Sequence, residues 1–206
     1  MQRGIADAFI IGRSFIGEDE VCLVLGDNIF YGEGLRPSLA RALEHHSGAT
    51  VFGYPVPDPR PFGVVEFDDT GRALSIEETP EHPRSNYIVP GLYFYDNSVV
   101  EIASNLKPSA RGELEITAVN NAYLERGELS VVKLGEDIIW TDAGNADSLL
   151  DSAATICRLQ KTTGRQVACL EEIARDMGYI SHEQMLALGR EMEKTDYGKY
   201  ILALDK

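Results

Sequence analysis

Two aspartates far apart in the chain share one local setting. Asp27 lies in Leu25-Gly26-Asp27-Asn28, directly after the apolar run Val21 to Leu25; Asp142 follows Ile138-Ile139-Trp140 and precedes Gly144. Ligands of open α/β sheets collect outside strand carboxyl ends, and Gly26 lets a ligand approach the backbone closely. Two carboxylates so placed can share one Mg²⁺, whose other positions go to water and phosphate oxygens. Taken singly, each aspartate also fits a plain turn or cap; only the pair points to chemistry. Glu77-Glu78, at the end of an expected strand, can accept ligand hydroxyls or stand as a solvated strand end. Arg111, just ahead of a helix start, can grip a phosphate together with backbone N–H groups, or be a solvated loop charge. His45-His46 lacks Cys or carboxylate neighbours at metal spacing and reads as a polar helix end. No Gly-x-Ser-x-Gly, Walker loop or Cys–His pairing suggests covalent catalysis.

These residues need elements to position them. Phe9, Ile10, Phe15 and Ile16 predict a short helix or turn packed on a core. Val21 to Leu25, continuous and apolar, reads as a strand buried on both faces of a parallel sheet. Pro37, Leu39, Ala42 and Leu43 fit a helix ending before Gly48. Thr50 to Val56 is a second strand, and Gly63 to Phe67 with Ala73 to Glu77 resembles a hairpin. Tyr87 to Tyr95 reads as one aromatic strand. Ile116, Val119 and Tyr123 recur at helical spacing before Gly127, and two short strands follow, Leu129 to Leu134 and Asp137 to Trp140. Ser148 to Gln160 is a helix with Leu149, Leu150, Ala153, Ile156 and Cys157 on one side. The tail is helical, with Ser181 and Gln184 forming a capping-box signature. Strands alternating with helices give an α/β class.

Composition narrows the partners. The 206 residues carry a net charge of −14, with 44% hydrophobic and 25% charged residues. That is ordinary for a globular chain, but a surface so acidic repels nucleic acid and anionic membranes. Anionic small molecules can bind only where local cations or a metal reverse the field. Cys22, Cys157 and Cys169 lack metal-type spacing and read as reduced thiols of a cytoplasmic protein, Cys22 being explained by packing. No apolar stretch approaches transmembrane length, and no signal peptide is expected.

Several segments in order resemble the glucose-1-phosphate thymidylyltransferases, a family of sugar nucleotidyltransferases. They are Val24 to Gly32, Phe62 to Phe67, Ile76-Glu77-Glu78, Ser85-Asn86-Tyr87, Gly91 to Asp96, the long run Lys107 to Thr117, Trp140 to Gly144, and Val167 to Ala174. The resemblance implies a Rossmann-like mixed sheet flanked by helices over 1–160 and a helical oligomerisation or regulatory segment over 161–206. It implies Mg²⁺-dependent transfer of a thymidylyl group from dTTP to glucose 1-phosphate, giving dTDP-glucose for cell-surface polysaccharide precursors. It places Mg²⁺ on Asp27 and Asp142, glucose 1-phosphate against Gly63, Glu78, Val89, Tyr93 and Arg111, and a regulatory nucleotide at Tyr31 and Gly32. Arg111 is also counted as catalytic, and a homo-oligomer, a homotetramer in the short members, is implied.

Three departures from the family pattern stand out. The family's Gly-Gly-x-Gly-Thr-Arg loop, which cradles the triphosphate, belongs roughly eighty residues upstream of this start. The chain is therefore expected to be an N-terminally shortened enzyme, impaired alone, with exposed apolar surface along Val21 to Leu25 that favours self-association. The family's Glu-Lys-Pro is here Glu78-Thr79-Pro80, and Pro90 replaces a small polar residue beside the sugar pocket. The alternatives are a non-catalytic sugar-phosphate or nucleotide-binding remnant serving in assembly, and a uridylyltransferase.

Overall fold

The structure, a computed structural model, describes residues 3–44 and 47–205; the His45-His46 reading lies outside them. Asp7–Ile11 (α1) and Arg13–Ile16 (α2) join at Gly12. Phe9 is buried, but Phe15 is 93% exposed. Ile16 takes the inward place on α2, and neighbouring helical positions lie about 100° apart. Val21–Val24 (β1) and Asn28–Tyr31 (β2) flank a turn through Gly26-Asp27. Leu35–Leu43 (α3), Ala49–Pro55 (β3), and the hairpin Gly63–Phe67 (β4) with Ala73–Glu78 (β5) follow as expected. The expected single strand Tyr87 to Tyr95 is two, Tyr87–Ile88 (β6) and Leu92–Tyr95 (β7). Pro90 has no N–H to give a ladder, and the chain breaks there. Next come Val99–Asn105 (α4), Ile116–Arg126 (α5), Leu129–Lys133 (β8) and Ile139–Asp142 (β9). Gly127 closes α5 in the left-handed conformation, as a C-terminal glycine does.

These elements form the first of two compact units, Met1–Gly144. Its main sheet runs β1-β7-β3-β6-β4-β5, with β8 parallel to β3. β1 is an edge strand antiparallel to β7, its residues alternately half-buried and exposed. The two-sided burial expected of it is therefore corrected: Cys22 and Val24 face outward. A continuous apolar run does not by itself distinguish an edge strand from a central one. A core of Phe9, Val51, Val65, Tyr93, Tyr95, Val99, Val119 and Tyr123 fills one cluster of this unit. Separately, β2 and β9 pair as a two-stranded antiparallel ribbon, Asn28 opposite Asp142 and Tyr31 opposite Ile139.

The second unit, Asn145–Lys206, begins sixteen residues before the sequence-based division at 160, because Ala146–Thr163 (α6) belongs to it. Asn145 caps α6 in a reciprocal box with Ser148, and Ser181 caps His182–Glu191 (α8) with Gln184. Leu170–Asp176 (α7) and Asp196–Ala203 (α9) complete it. Cys169, Met185, Leu186 and Ile201 form its core. The apolar side expected of α6 is not buried: Leu149 and Leu150 are 56% and 69% exposed, and Ser152 is the buried residue of this helix. Among the described residues no helix is long and apolar enough to cross a membrane.

Candidate active site

The β2–β9 ribbon brings the two aspartates together. Because Asn28 pairs with Asp142, Asp27 in the adjoining turn stands beside it, and its carbonyl accepts from the Ala143 N–H at 2.8 Å. A Cβ placed on Gly144 would lie 2.8 Å from Asp142 Oδ1 and 3.4 Å from Asp27 Oδ2. The two carboxylates thus border one small space that glycine leaves open. Gly144 N–H donates to Asp142 Oδ1 at 2.5 Å, and Asn28 Nδ2 donates to Asp27 Oδ1 at 2.9 Å. Asn28 is fixed in turn, since its Oδ1 accepts from Trp140 Nε1 at 2.7 Å and Gly91 N–H at 2.9 Å. Asp27 does turn the chain, and its carboxylate also borders the shared space at Gly144.

Asp27 and Asp142 open on a cavity of about 150 Å³ whose wall also includes Gly63, Glu78, Val89 and Tyr93. The break between β6 and β7 shapes one side: Val89 N–H donates to Gly63 carbonyl at 2.8 Å, and Leu25 N–H to Gly91 carbonyl at 2.9 Å. Gly63 faces Glu78 across the hairpin, and a Cβ there would press on Thr117 Oγ1 at 3.1 Å. The Thr117 hydroxyl donates to Glu78 Oε2. Arg111 is not part of the wall. Its guanidinium binds Glu115 through two contacts of 3.1 and 2.9 Å and reaches Glu78 Oε1 at 3.4 Å. Burial pushes the Glu115 carboxyl up, but hydrogen bonds from Arg111 and Ser109 outweigh it and hold it below the usual range.

Tyr31 and Gly32 lie at the other end of the ribbon and do not reach this cavity. Gly32, at φ +152°, packs directly on the Asp137 backbone, which a side chain would block. Pro90, noted as a departure, is in the wall, as are residues sequence reasoning passed over: Asn28, Thr117, Asn120 and Trp140. Thr117 and Asn120 had a signal. They are polar at i, i+3 on a helix whose buried face is otherwise Ile116, Val119 and Tyr123.

The field here is negative. Asp27, Glu78 and Asp142 line the cavity, and among its described wall residues there is no Lys, Arg or His. Burial, then the charges of Glu78 and Asp27, hold the Tyr93 hydroxyl protonated far above its ordinary range. Among the described residues no group of three or more His, Cys, Asp or Glu could hold a metal. A pair of carboxylates is enough for Mg²⁺, which keeps water and takes substrate phosphates. Both aspartates border one space, so the donor set fits that ion.

The profile of the nucleotidyl transferase family matches residues 1–158. The glucose-1-phosphate thymidylyltransferase of Neisseria meningitidis is 53% identical over 98% of this chain and 70% of its own length. That of Mycobacterium tuberculosis is 52% identical over 98% of this chain and 69% of its own. Among solved structures, a Bacillus anthracis protein described as the same kind of enzyme aligns with a TM-score of 0.67 and 42% identity, over 75% of this chain and 61% of that one. A UDP-glucose pyrophosphorylase aligns with a TM-score of 0.68 at 19% identity, over 77% of this chain and 64% of that one, a likeness of fold alone. Neither alternative, the non-catalytic remnant or the uridylyltransferase, is favoured by these relatives. The chain belongs to the nucleotidyl transferase family of enzymes, with the glucose-1-phosphate thymidylyltransferases as its relatives at half identity.

Proposed function

We propose that the cavity joins glucose 1-phosphate to the thymidylyl group of dTTP, releasing pyrophosphate, with Asp27 and Asp142 as the seat of a Mg²⁺ ion. The observation that carries this is a wall of carboxylates with no cation of its own, in a family whose substrates are phosphates. Two anions cannot be brought together there unless a cation offsets the repulsion. The bound ion would polarise phosphate oxygens and neutralise charge developing on them. The chain's own groups position the partners. Glu78, held by Thr117, accepts from sugar hydroxyls, while the protonated Tyr93 hydroxyl donates. Gly63 and Val89 supply backbone at close range, and Arg111 stands at the rim through Glu78. An oxygen of the sugar phosphate attacks the α-phosphorus in line, and the bond to the departing pyrophosphate breaks. Positioning supplies much of the rate, and no covalent intermediate is needed.

Tyr31 and Gly32, outside this cavity, are proposed to serve a separate regulatory nucleotide site. Residues 1–160 would carry the transferase function and 161–206 assembly, as a cytoplasmic homo-oligomer supplying dTDP-sugars for cell-surface polysaccharide. The three unpaired cysteines support a reducing compartment.

The test is Mn²⁺ binding, followed by electron paramagnetic resonance in the presence of dTTP, for wild type, Asp27→Asn and Asp142→Asn. Each variant is expected to bind the ion about 10–100-fold more weakly and to lose pyrophosphate release. Unchanged ion affinity in either variant defeats the assignment.

A further inference from the structure

Asn120 sits on the cavity wall although it is only 1% exposed. Its Oδ1 accepts from the Tyr95 hydroxyl at 2.6 Å. Tyr95 is itself buried, stacks on Tyr93 at 6.1 Å and on Tyr123 at 5.6 Å, and cannot turn away. Burial, then the neighbouring tyrosines, hold that hydroxyl protonated well above its ordinary range, so its proton is there to donate. With that bond made, the amide of Asn120 presents its oxygen to Tyr95 and turns its nitrogen away from it.

No described group accepts from the Asn120 amide nitrogen. Yet among the described residues no fully buried side-chain nitrogen or oxygen is left without a partner. The amide nitrogen must therefore open on the cavity that the residue lines. Sequence spacing adds to this: Thr117 and Asn120 stand one turn apart on α5, and Thr117 serves Glu78 in the same wall. The wall thus offers an acceptor, Glu78, and a fixed donor, Asn120, which together suit hydroxyl groups that both give and take hydrogen bonds.

We propose that Asn120, oriented by Tyr95, is a specificity-determining residue that donates a hydrogen bond to a hydroxyl of the sugar phosphate. This rests on the sugar-phosphate reading of the cavity. The three carboxylates around it speak against a phosphate as the group that this donor meets.

Calorimetric binding of glucose 1-phosphate and its mono-deoxy analogues, with Mg²⁺ present, tests it. Wild type should bind at least one analogue about 3–10-fold more weakly than the parent sugar phosphate. In Asn120→Leu that ratio should vanish for that analogue alone, while discrimination against the others persists. Tyr95→Phe keeps the residue at 120 and the ring packing, and should reduce the same ratio by freeing the amide. It also guards against a failure of Asn120→Leu to fold. A variant that weakens every sugar phosphate equally, or keeps every ratio, overturns the proposal and leaves Asn120 a packing residue. Absence of any glucose 1-phosphate binding by wild type is a different result, which fells the reading of the cavity itself and this proposal with it.

Discussion

Thr79 adopts a φ of +42°, in the left-handed region, although its side chain branches at Cβ. Such a conformation costs on the order of 1–3 kcal/mol for a branched residue. It follows Glu78 directly, and its N–H donates to the Phe62 carbonyl at 3.0 Å, so the strained residue is tied to the cavity wall. The sequence resemblance implies lysine at this position, and threonine adds no cation to a wall whose described residues include none. Two variants separate the effects. Thr79→Asn tolerates the left-handed backbone and should raise Tm by about 2–4 °C, with no gain in affinity for glucose 1-phosphate. Thr79→Lys also removes the branch, and its ammonium should raise that affinity about 10-fold through a charge-assisted contact. Thermal melting and calorimetry on the pair decide between them. Equal affinity in both variants would show that charge at this position does nothing for the substrate.

Where elements meet, Asp96 is the joint. It follows β7 and accepts from Gly48 N–H at 2.7 Å, from Ser98 N–H at 3.0 Å, from the Ser98 hydroxyl at 2.6 Å and from the Tyr123 hydroxyl at 2.8 Å. One carboxylate thus ties the entry to β3, the start of α4 and the buried face of α5. Burial pushes the Asp96 carboxyl up, but these hydrogen bonds outweigh it and hold it below its ordinary range. Asp96→Asn turns part of an acceptor into a donor facing donors, and should cost roughly 2–3 kcal/mol. The pH dependence has a definite sign. With its folded value depressed, the carboxylate adds stability that is present above the unfolded value near 3.9 and lost as pH falls through the folded one. The gap between wild type and variant should therefore narrow in acid, as denaturant melts at neutral pH and below pH 3 would read. A gap that widens in acid contradicts this role.

Much at this scale was legible beforehand. The hairpin β4–β5, the glycine-capped α5 and the boxed α8 all appear where turn and capping residues put them. What escaped was long-range. Nothing local says that β1 is an edge strand, nor that Asp142 will lie opposite Asn28, because pairing partners are set by packing of distant segments. The Asn28–Trp140 hydrogen bond spans 112 positions and has no spacing signature. The two aspartates were found from strand-end placement, yet the ribbon that joins them was not.

Across the whole chain, two forces on association oppose each other. Leu149 and Leu150 on α6 are more than half exposed, as are Leu170 at the start of α7 and Tyr179 beyond it. Burying one such leucine against a partner is worth about 1.5–3 kcal/mol, and Leu149 and Leu150 follow each other on one helix. Against this stands the net charge of −14 on every copy. Like charges of that size repel over a screening length of about 30 Å at 0.01 M salt and only about 10 Å at 0.1 M. Salt shortens the repulsion while leaving the apolar attraction in place. Self-association should therefore strengthen as salt rises, the reverse of a complex held by opposite charges. Sedimentation velocity at low and near-physiological salt should show the larger species growing with ionic strength. Leu150→Glu removes apolar area and adds charge at the same point, and should weaken association about 10-fold or more at fixed salt. The helix itself should persist, since glutamate is a good helix former and α6 keeps its Asn145–Ser148 cap. A monomer at every salt concentration would show that these exposed leucines are not an assembly surface. An association that instead weakens with salt would place the contact on charged groups elsewhere.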